Sequence, residues 1–492
     1  MSEPFCFVII FFMVNKIMLA DGFVFDFATM FGENRIQQAD LQQIEDKIIA
    51  AAQAVDVLRN TGMSKNHLSK DGRPEKVLFT KLPYVADGNP NTPQSIAKLK
   101  DFADYLRNHV DAVLFLGVGG SYLGNKVLYD LFCGDGWNIL GPAQRGYRPA
   151  IIFGGNNLDP LQSHQIVDQV WSLARYTLPK KNRFRLMLVP ISKSGTTLET
   201  LTAFSYFYEE FSKESYLDLD VAVVTDLNPD ANSPLLTLAQ ENNWQCFDVK
   251  NGVGGRFSVL NDVGLVMAAA IGLDIDKFLA GARAMDEVCR NNDWQKNPAL
   301  ANAVLKYVAA DKYGCDLEVF MGYGICFKSL AEWYVQLLAE SLGKRLDRDG
   351  KTVFYGRTPV AAVGTTDMHA QTQQHQDGRR NKVIQFLQVD DLHGDVVLGN
   401  PFSKVEQIAK YEGLSLNKAL QVALLANREA LESDSRFTAL YHLPHLNEYY
   451  VGEMFYFLML SIAYEGELAN VDAFDQPGVE AYKKIIRREL GR

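Results

Sequence analysis

Between residues 37 and 58 apolar side chains recur at Leu41, Ile44, Ile48, Ile49, Ala52, Val55 and Leu58, the spacing of one face of a helix. Gly72, Pro74, Pro83, Gly88 and Pro90 then interrupt the pattern, and a helix-like stretch follows over 96–109. The next segment has a different period. Ala112 to Leu116 is a continuous apolar run that ends in Gly117-Val-Gly-Gly-Ser121, which predicts strand, glycine turn and helix. The same alternation returns over 149–153, 186–191 and 220–225. After a helix-rich middle (263–289 and 299–310), it resumes over 317–322, 360–364 and 383–389, and two further helices are predicted over 416–432 and 449–464. Short buried strands separated by helices predict parallel sheets covered on both faces. We read an α/β chain with two doubly wound domains, 96–290 and 291–450, a helical arm over 31–95 and a C-terminal helical arm over 451–492.

Composition narrows the function without naming it. The 492 residues suit two large or three ordinary folding units. Lys and Arg number 49 against 59 Asp and Glu, a net charge of −10, so the chain has no global attraction for nucleic acid or anionic membrane. Any anionic ligand must be held locally. Six cysteines, at 6, 133, 246, 289, 315 and 326, show no CxxC or knuckle spacing, which fits reduced thiols in a cytoplasmic protein. The apolar run Phe5 to Val14 lacks a basic flank and is shorter than the roughly 20 residues a bilayer span needs, so residues 1–30 are expected to be a tail outside the folded body or on its surface.

Two loops carry candidate chemistry. Gly117-x-Gly-Gly-Ser-x-x-Gly124 sits where a strand turns into a helix, so its backbone N–H groups can approach an anion. It is not a dinucleotide fingerprint, because Tyr122 stands where the third glycine belongs, and it lacks the Lys-Ser/Thr of a P-loop. The second loop, Ser192-Lys-Ser-Gly-Thr-Thr-Leu-Glu-Thr200, places five hydroxyls and one lysine in nine residues at a predicted helix start. An ordinary N-cap uses one such hydroxyl, and the surplus suits a phosphate monoester.

Three further stretches carry a resemblance. Asn251-Gly-Val-Gly-Gly-Arg-Phe-Ser258, Gln336-Leu-Leu-Ala-Glu-Ser-Leu-Gly-Lys344 and Phe474-Asp-Gln-Pro-Gly-Val-Glu-Ala-Tyr-Lys483 are similar to the GGR[FY]S, QxxxES.GK and [FY]DQxGVExxK segments of the glucose-6-phosphate isomerase family. The two loops resemble the sugar-isomerase (SIS) fold to which that family belongs. The chain differs from the family pattern at Asn261-Asp262 and matches nothing in its first 30 residues.

The resemblance implies two SIS-type domains and an aldose–ketose isomerase for glucose 6-phosphate and fructose 6-phosphate, with no cofactor and no metal. It implies Glu340 as the base between C2 and C1, Arg256 as the cation beside the enediolate, and His369 with Lys483 at the ring oxygen. Gly120, Ser121, Ser192, Lys193, Ser194 and Thr197 would surround the phosphate, Gln336 would lie at its edge, and Glu199 and Gln476 would reach substrate hydroxyls. It further implies a homodimer whose histidine is supplied by the neighbouring subunit. From spacing alone, Glu340 and Lys344 equally fit a solvated i, i+4 pair, and Arg256 a structural ion pair. His375 competes with His369. His442-Leu-Pro-His445 has no acidic or cysteine neighbour in sequence and is not expected to bind metal. Two other functions stay open: a phosphosugar sensor that only binds, which has no need of all four catalytic residues, and an isomerase of mannose or glucosamine phosphates.

Overall fold

The computed structural model describes residues 15–69, 72–179 and 181–491; the run Phe5 to Val14 lies outside them. Strand Ala112–Leu116 is buried at all five positions. Its odd-numbered residues Val113 and Phe115 face the main core while Ala112, Leu114 and Leu116 face a second one. Both faces of its sheet are covered by helices, which is why the run is apolar without alternation. The sheet holds five parallel strands, with Ala112–Leu116 between Ala150–Gly154 and Phe184–Pro190, followed by Leu217–Thr225 and Gln245–Asp248.

A second sheet of six strands is parallel through Thr358–Gly364, Leu317–Tyr323, Lys382–Asp391 and Phe437–His445. Its far edge departs from the expected all-parallel arrangement. Val24–Asp26 pairs antiparallel with Phe437–His445, and Lys16–Met18 pairs antiparallel with Val24–Asp26. Phe23, Phe25 and Phe27 are fully buried there, with Phe25 packed on Tyr441 and Phe457. The part of the expected tail from residue 16 to 30 is therefore an edge of the fold. Three large aromatic side chains make that burial worth several kcal/mol.

The segments expected to be arms also join the body. Gln38–Gln43 and Glu45–Thr61 are helices, but a small hairpin, Met63–Leu68 with Pro74–Lys76, follows them. Glu448–Leu468 is buried along almost its whole length. It is apolar all round and packs against Ile275–Val288, Pro298–Tyr313 and Glu45–Thr61, which makes it a central helix of the main core rather than an arm. The exposed C-terminal helix is shorter, Glu480–Glu489.

Candidate active site

Arg256 lies in a short turn, Gly255–Phe257, that follows the first sheet and is 2 % exposed. Burial holds its guanidinium below the usual arginine range, partly opposed by the Glu340 carboxylate. Such a group needs every N–H satisfied. Nε donates to Ser341 Oγ (2.6 Å), and Nη2 donates to the carbonyls of Ala473 (2.7 Å) and Asp475 (3.1 Å). Nη1 donates to Gln476 Oε1 at 3.0 Å and lies 3.3 Å from Glu340 Oε1.

Glu340 comes from near the end of helix Lys328–Leu342 and is half-buried. Leu330, Trp333, Tyr334, Leu337 and Leu338 bury the core face of that helix. Its second carboxylate oxygen accepts a hydrogen bond from Gln336 Nε2 at 3.0 Å. The simple Glu–Lys pair that spacing allowed does not form. Lys344 is buried and its ammonium turns to the Glu340 carbonyl (3.0 Å) and to Asp475, with the Asp475 carbonyl at 2.6 Å and the carboxylate at 2.9 Å. The Glu340 carboxylate is left to Arg256 and Gln336.

The glycine turn is fitted against both groups. A Cβ on Gly120 would lie 2.1 Å from the Gly255 carbonyl oxygen, and one on Gly119 would meet Gln336 Nε2 at 3.0 Å. Only glycine lets the 119–121 backbone approach the Arg256 turn this closely. Ser121 ends this turn, just ahead of helix Leu123–Phe132.

The hydroxyl-rich loop follows strand Phe184–Pro190, on the neighbouring strand of the same sheet. Ser192 is buried and its hydroxyl meets Thr197 Oγ1 at 2.8 Å, at the start of helix Leu198–Ser212. Ser194 is exposed and accepts from both the backbone and the hydroxyl of Thr196. Glu199 stands in the first turn of the helix. Lys193 is half-buried, and burial pulls its ammonium below the ordinary lysine range. Its Nζ donates to the Val253 carbonyl at 3.3 Å, which ties this loop to the one carrying Arg256. Lys193, Gly255 and Gln476 share a cavity of about 420 Å³ beside the Arg256 turn.

Residues 91–490 match the family model described as phosphoglucose isomerase. The chain belongs to the phosphoglucose isomerase family. It is 33 % identical over 461 residues to a glucose-6-phosphate isomerase of Carboxydothermus hydrogenoformans, covering 94 % of this chain and 92 % of that one. A glucose-6-phosphate isomerase of Methanocaldococcus jannaschii is 32 % identical over 384 residues, covering 77 % and 84 %. A solved structure from Thermus thermophilus, described as a hypothetical protein, superposes with a TM-score of 0.74 at 27 % identity, covering 92 % of this chain and 97 % of that one. A glucose-6-phosphate isomerase from Chlamydia trachomatis shares the fold, with a TM-score of 0.76 at 21 % identity, covering 97 % and 90 %. The expected α/β class with doubly wound sheets agrees with these likenesses.

Two of the residues that the phosphoglucose isomerase resemblance singled out stand apart from this centre within one chain. His369 is exposed, in the turn Thr366–His369 after strand Thr358–Gly364, and makes no hydrogen bond or ion pair with Glu340, Arg256 or Lys483 among the described residues. Lys483 sits on the exposed C-terminal helix, 3.6 Å from Glu480. The competitor His375 is buried, and burial together with Lys382 and Arg436 pushes it down to about 4, which leaves it neutral at physiological pH. His442 and His445 do have acidic neighbours, contrary to the reading from sequence. Pairing of the last two parallel strands sets them 2.7 Å from Asp390 and 3.5 Å from Asp391. Among the described residues no group of three or more such side chains is placed to hold a metal ion.

Other residues of the site went unassigned in sequence. Ser341, Lys344 and Asp475 lie inside the quoted motifs, so their neighbours were a signal. His67 had none: it comes from the 63–76 hairpin, stacks edge-on with Phe474, and its Nδ1 lies 2.9 Å from Asp472 Oδ2. Asp472 also accepts from the Phe474 N–H, so this pair anchors the strand of chain whose carbonyls hold Arg256.

Proposed function

We propose that the chain interconverts glucose 6-phosphate and fructose 6-phosphate, the activity for which its relatives are named. The observation that carries this reading is the Glu340–Arg256 pair, a half-buried carboxylate set by Gln336 beside a buried guanidinium. Moving a proton between C2 and C1 of the open-chain sugar needs a base at the carbons and a fixed cation at the enediolate oxygens. Glu340 takes the proton from one carbon and returns it to the other, passing through a cis-enediol(ate). Arg256, held by four protein acceptors, keeps its position while charge develops. The phosphate is held by the 119–121 turn with Gly120 and Ser121, and by Ser192, Lys193, Ser194 and Thr197.

Ring opening falls to His369 and Lys483 in this reading, with His369 supplied by a second copy of the chain. The surface near His369 favours such a partner. The adjoining helix Thr372–Asp377 packs against Leu416–Ser433, whose Val422 and Leu425 are about half exposed, and Phe402, Val405 and Ile408 are exposed in the preceding segment. Uncovered apolar side chains gathered this way suit an interface. The cytoplasm suits the five described cysteines, which are unpaired, with burial pushing Cys133, Cys289 and Cys315 up to about 12. None of the described helices is long and apolar enough to cross a membrane.

The test is turnover of fructose 6-phosphate by the purified chain, followed through a coupled dehydrogenase, with unphosphorylated fructose as control. Expected is a kcat within the usual range of about 1–10³ s⁻¹ and a kcat/KM for fructose lower by orders of magnitude. Binding of fructose 6-phosphate without conversion identifies a sensor and rejects the reading.

A further inference from the structure

A second cavity lies at the other end of the first sheet. It encloses about 790 Å³ and is walled by residues that precede the strands: Asp111 before Ala112–Leu116, Arg148 before Ala150–Gly154, and Lys181 and Phe184 at the start of Phe184–Pro190. The loops at 119–121 and 192–197 leave the opposite, C-terminal ends of these strands. A five-residue strand separates the two ends by about 17 Å. This cleft is a separate place from the active site.

Its charge runs against that of the molecule. In a chain of net charge −10, the walls bring together Arg107, Arg145, Arg148 and Lys181 with a single carboxylate, Asp111. Lys181 is paired with Asp111 at 2.5 Å. Arg145 is buried and serves the loop itself, donating to the carbonyls of Leu140 and Arg148. Among the described residues, Arg107 and Arg148 have no carboxylate within 4.0 Å. Arg148 is kept half-buried against the backbone of Gly272, where a Cβ would come within 2.4 Å of its Nε. Burial and the neighbouring Arg107 both hold the Arg148 guanidinium below its ordinary range. The Asp104 carboxylate offsets part of this at longer range, but among the described residues neither arginine has an ion-pair partner, an arrangement that an anion relieves.

The rest of the wall mixes apolar side chains such as Ile139, Leu140 and Phe184 with polar ones such as Asn108, Gln169 and Ser172. Ile139 is 89 % exposed, and Tyr147 is 60 % exposed with a left-handed backbone (φ 63°). The segment carrying them is pinned to strand Ala150–Gly154. Asn138 exchanges two hydrogen bonds with Ile151, and Trp137 Nε1 donates to the Pro149 carbonyl. A cleft of this size, with two arginines, the exposed Ile139 and Tyr147 and several amide and hydroxyl groups in its wall, has the make-up of a small-molecule site. We propose that it binds an organic phosphate with a planar aromatic part, of the class of nucleoside phosphates: the phosphate sits on Arg107 and Arg148, and the base lies against Tyr147 and Ile139.

The experiment is calorimetric titration of the full-length chain with ADP, adenosine and inorganic phosphate, each with and without excess fructose 6-phosphate, and the same titrations on Arg107→Gln/Arg148→Gln and on Arg107→Glu. Arg107 is exposed, so its single variant tests the site even where Arg148→Gln disturbs packing over Gly272. Expected is ADP binding tighter than that of adenosine or phosphate, unaffected by fructose 6-phosphate, and weakened at least about tenfold in both variants as an arginine–phosphate contact is lost. Turnover of the Arg107→Glu protein should equal that of the unaltered chain. Any of four results overturns the proposal: no binding at millimolar ADP, binding that the variants leave unchanged, binding that fructose 6-phosphate displaces, or phosphate alone binding as tightly as ADP.

Discussion

Glu340 Oε1 lies 3.3 Å from Arg256 Nη1, and the two side chains reach that point from the turn Gly255–Phe257 and the helix Lys328–Leu342. Arg256 is the more constrained of the two. Its guanidinium is buried and shared among Ser341, Gln476 and the carbonyls of Ala473 and Asp475, whereas Glu340 keeps one edge open to solvent. The cation is the more firmly held of the two, which suits the proposed proton transfer beside a developing anion.

Lysine cannot reproduce that fork. Arg256→Lys keeps the charge but, with three donors for four acceptors, leaves at least one acceptor without a donor. We expect kcat/KM for fructose 6-phosphate to fall by about 10²–10³ and stability to fall by about 1–3 kcal/mol. Steady-state kinetics and urea unfolding read the two effects separately. A lysine variant with unaltered kinetics contradicts the role given to the guanidinium.

Gly120→Ala tests the close approach of the glycine turn to the Arg256 turn. The new methyl would lie 2.1 Å from the Gly255 oxygen, so one of the two turns must move. Overpacking of this kind costs about 1–3 kcal/mol. We expect a lower melting temperature together with a rise in KM and a fall in kcat, because the 119–121 turn and the cation shift together. A rise in KM alone would show that the turn holds phosphate without setting Arg256.

Asp262 gives a pH signature. It is buried at the start of helix Asp262–Ile271, where one oxygen accepts from the Asp248 N–H at 2.9 Å, and burial raises its carboxyl to about 7. A folded pKa above the unfolded one means that the fold disfavours the ionised form. The penalty is absent below about pH 4 and complete above about pH 7. Asn at this position keeps the acceptor and removes the ionisation, so Asp262→Asn should leave stability unchanged near pH 4 and raise it at pH 8 by at most about 4 kcal/mol. Equal melting curves for the two proteins at pH 8 would refute this.

Sharing of the site between two chains can be read from mixed variants. Glu340→Gln and His369→Asn should each be nearly inactive alone. If His369 serves the partner's Glu340, random re-pairing after unfolding and refolding together produces hybrids with one intact site, and about a quarter of normal activity returns. No recovery, with hybrids demonstrated by mass spectrometry, places both residues in one chain's site.

The sequence made the sheet strands legible wherever both faces are covered. The run 112–116 is apolar throughout, and its bounds were read to the residue. Gln245–Asp248 escaped because it is short and only Phe247 is buried, and Phe437–His445 because His442 and Pro444 break its pattern. Phe23, Phe25 and Phe27 alternate as a strand should, but the apolar run ahead of them drew the whole stretch into a supposed tail. Site residues were legible only as motifs. Spacing alone offered Glu340 a lysine partner, and what decided otherwise was Asp475, 131 positions from Lys344 and invisible to any local pattern. The His67–Asp472 contact spans 405 positions and has no sequence signal.

The most direct test of the proton shuttle is the coupled assay with fructose 6-phosphate on the unaltered chain and on Glu340→Gln. Gln keeps the side-chain length and a carbonyl oxygen for the Gln336 donor, so folding and KM should hold. We expect a kcat lower by about 10²–10⁴, the contribution of a positioned general base. Undiminished turnover in Glu340→Gln would contradict it.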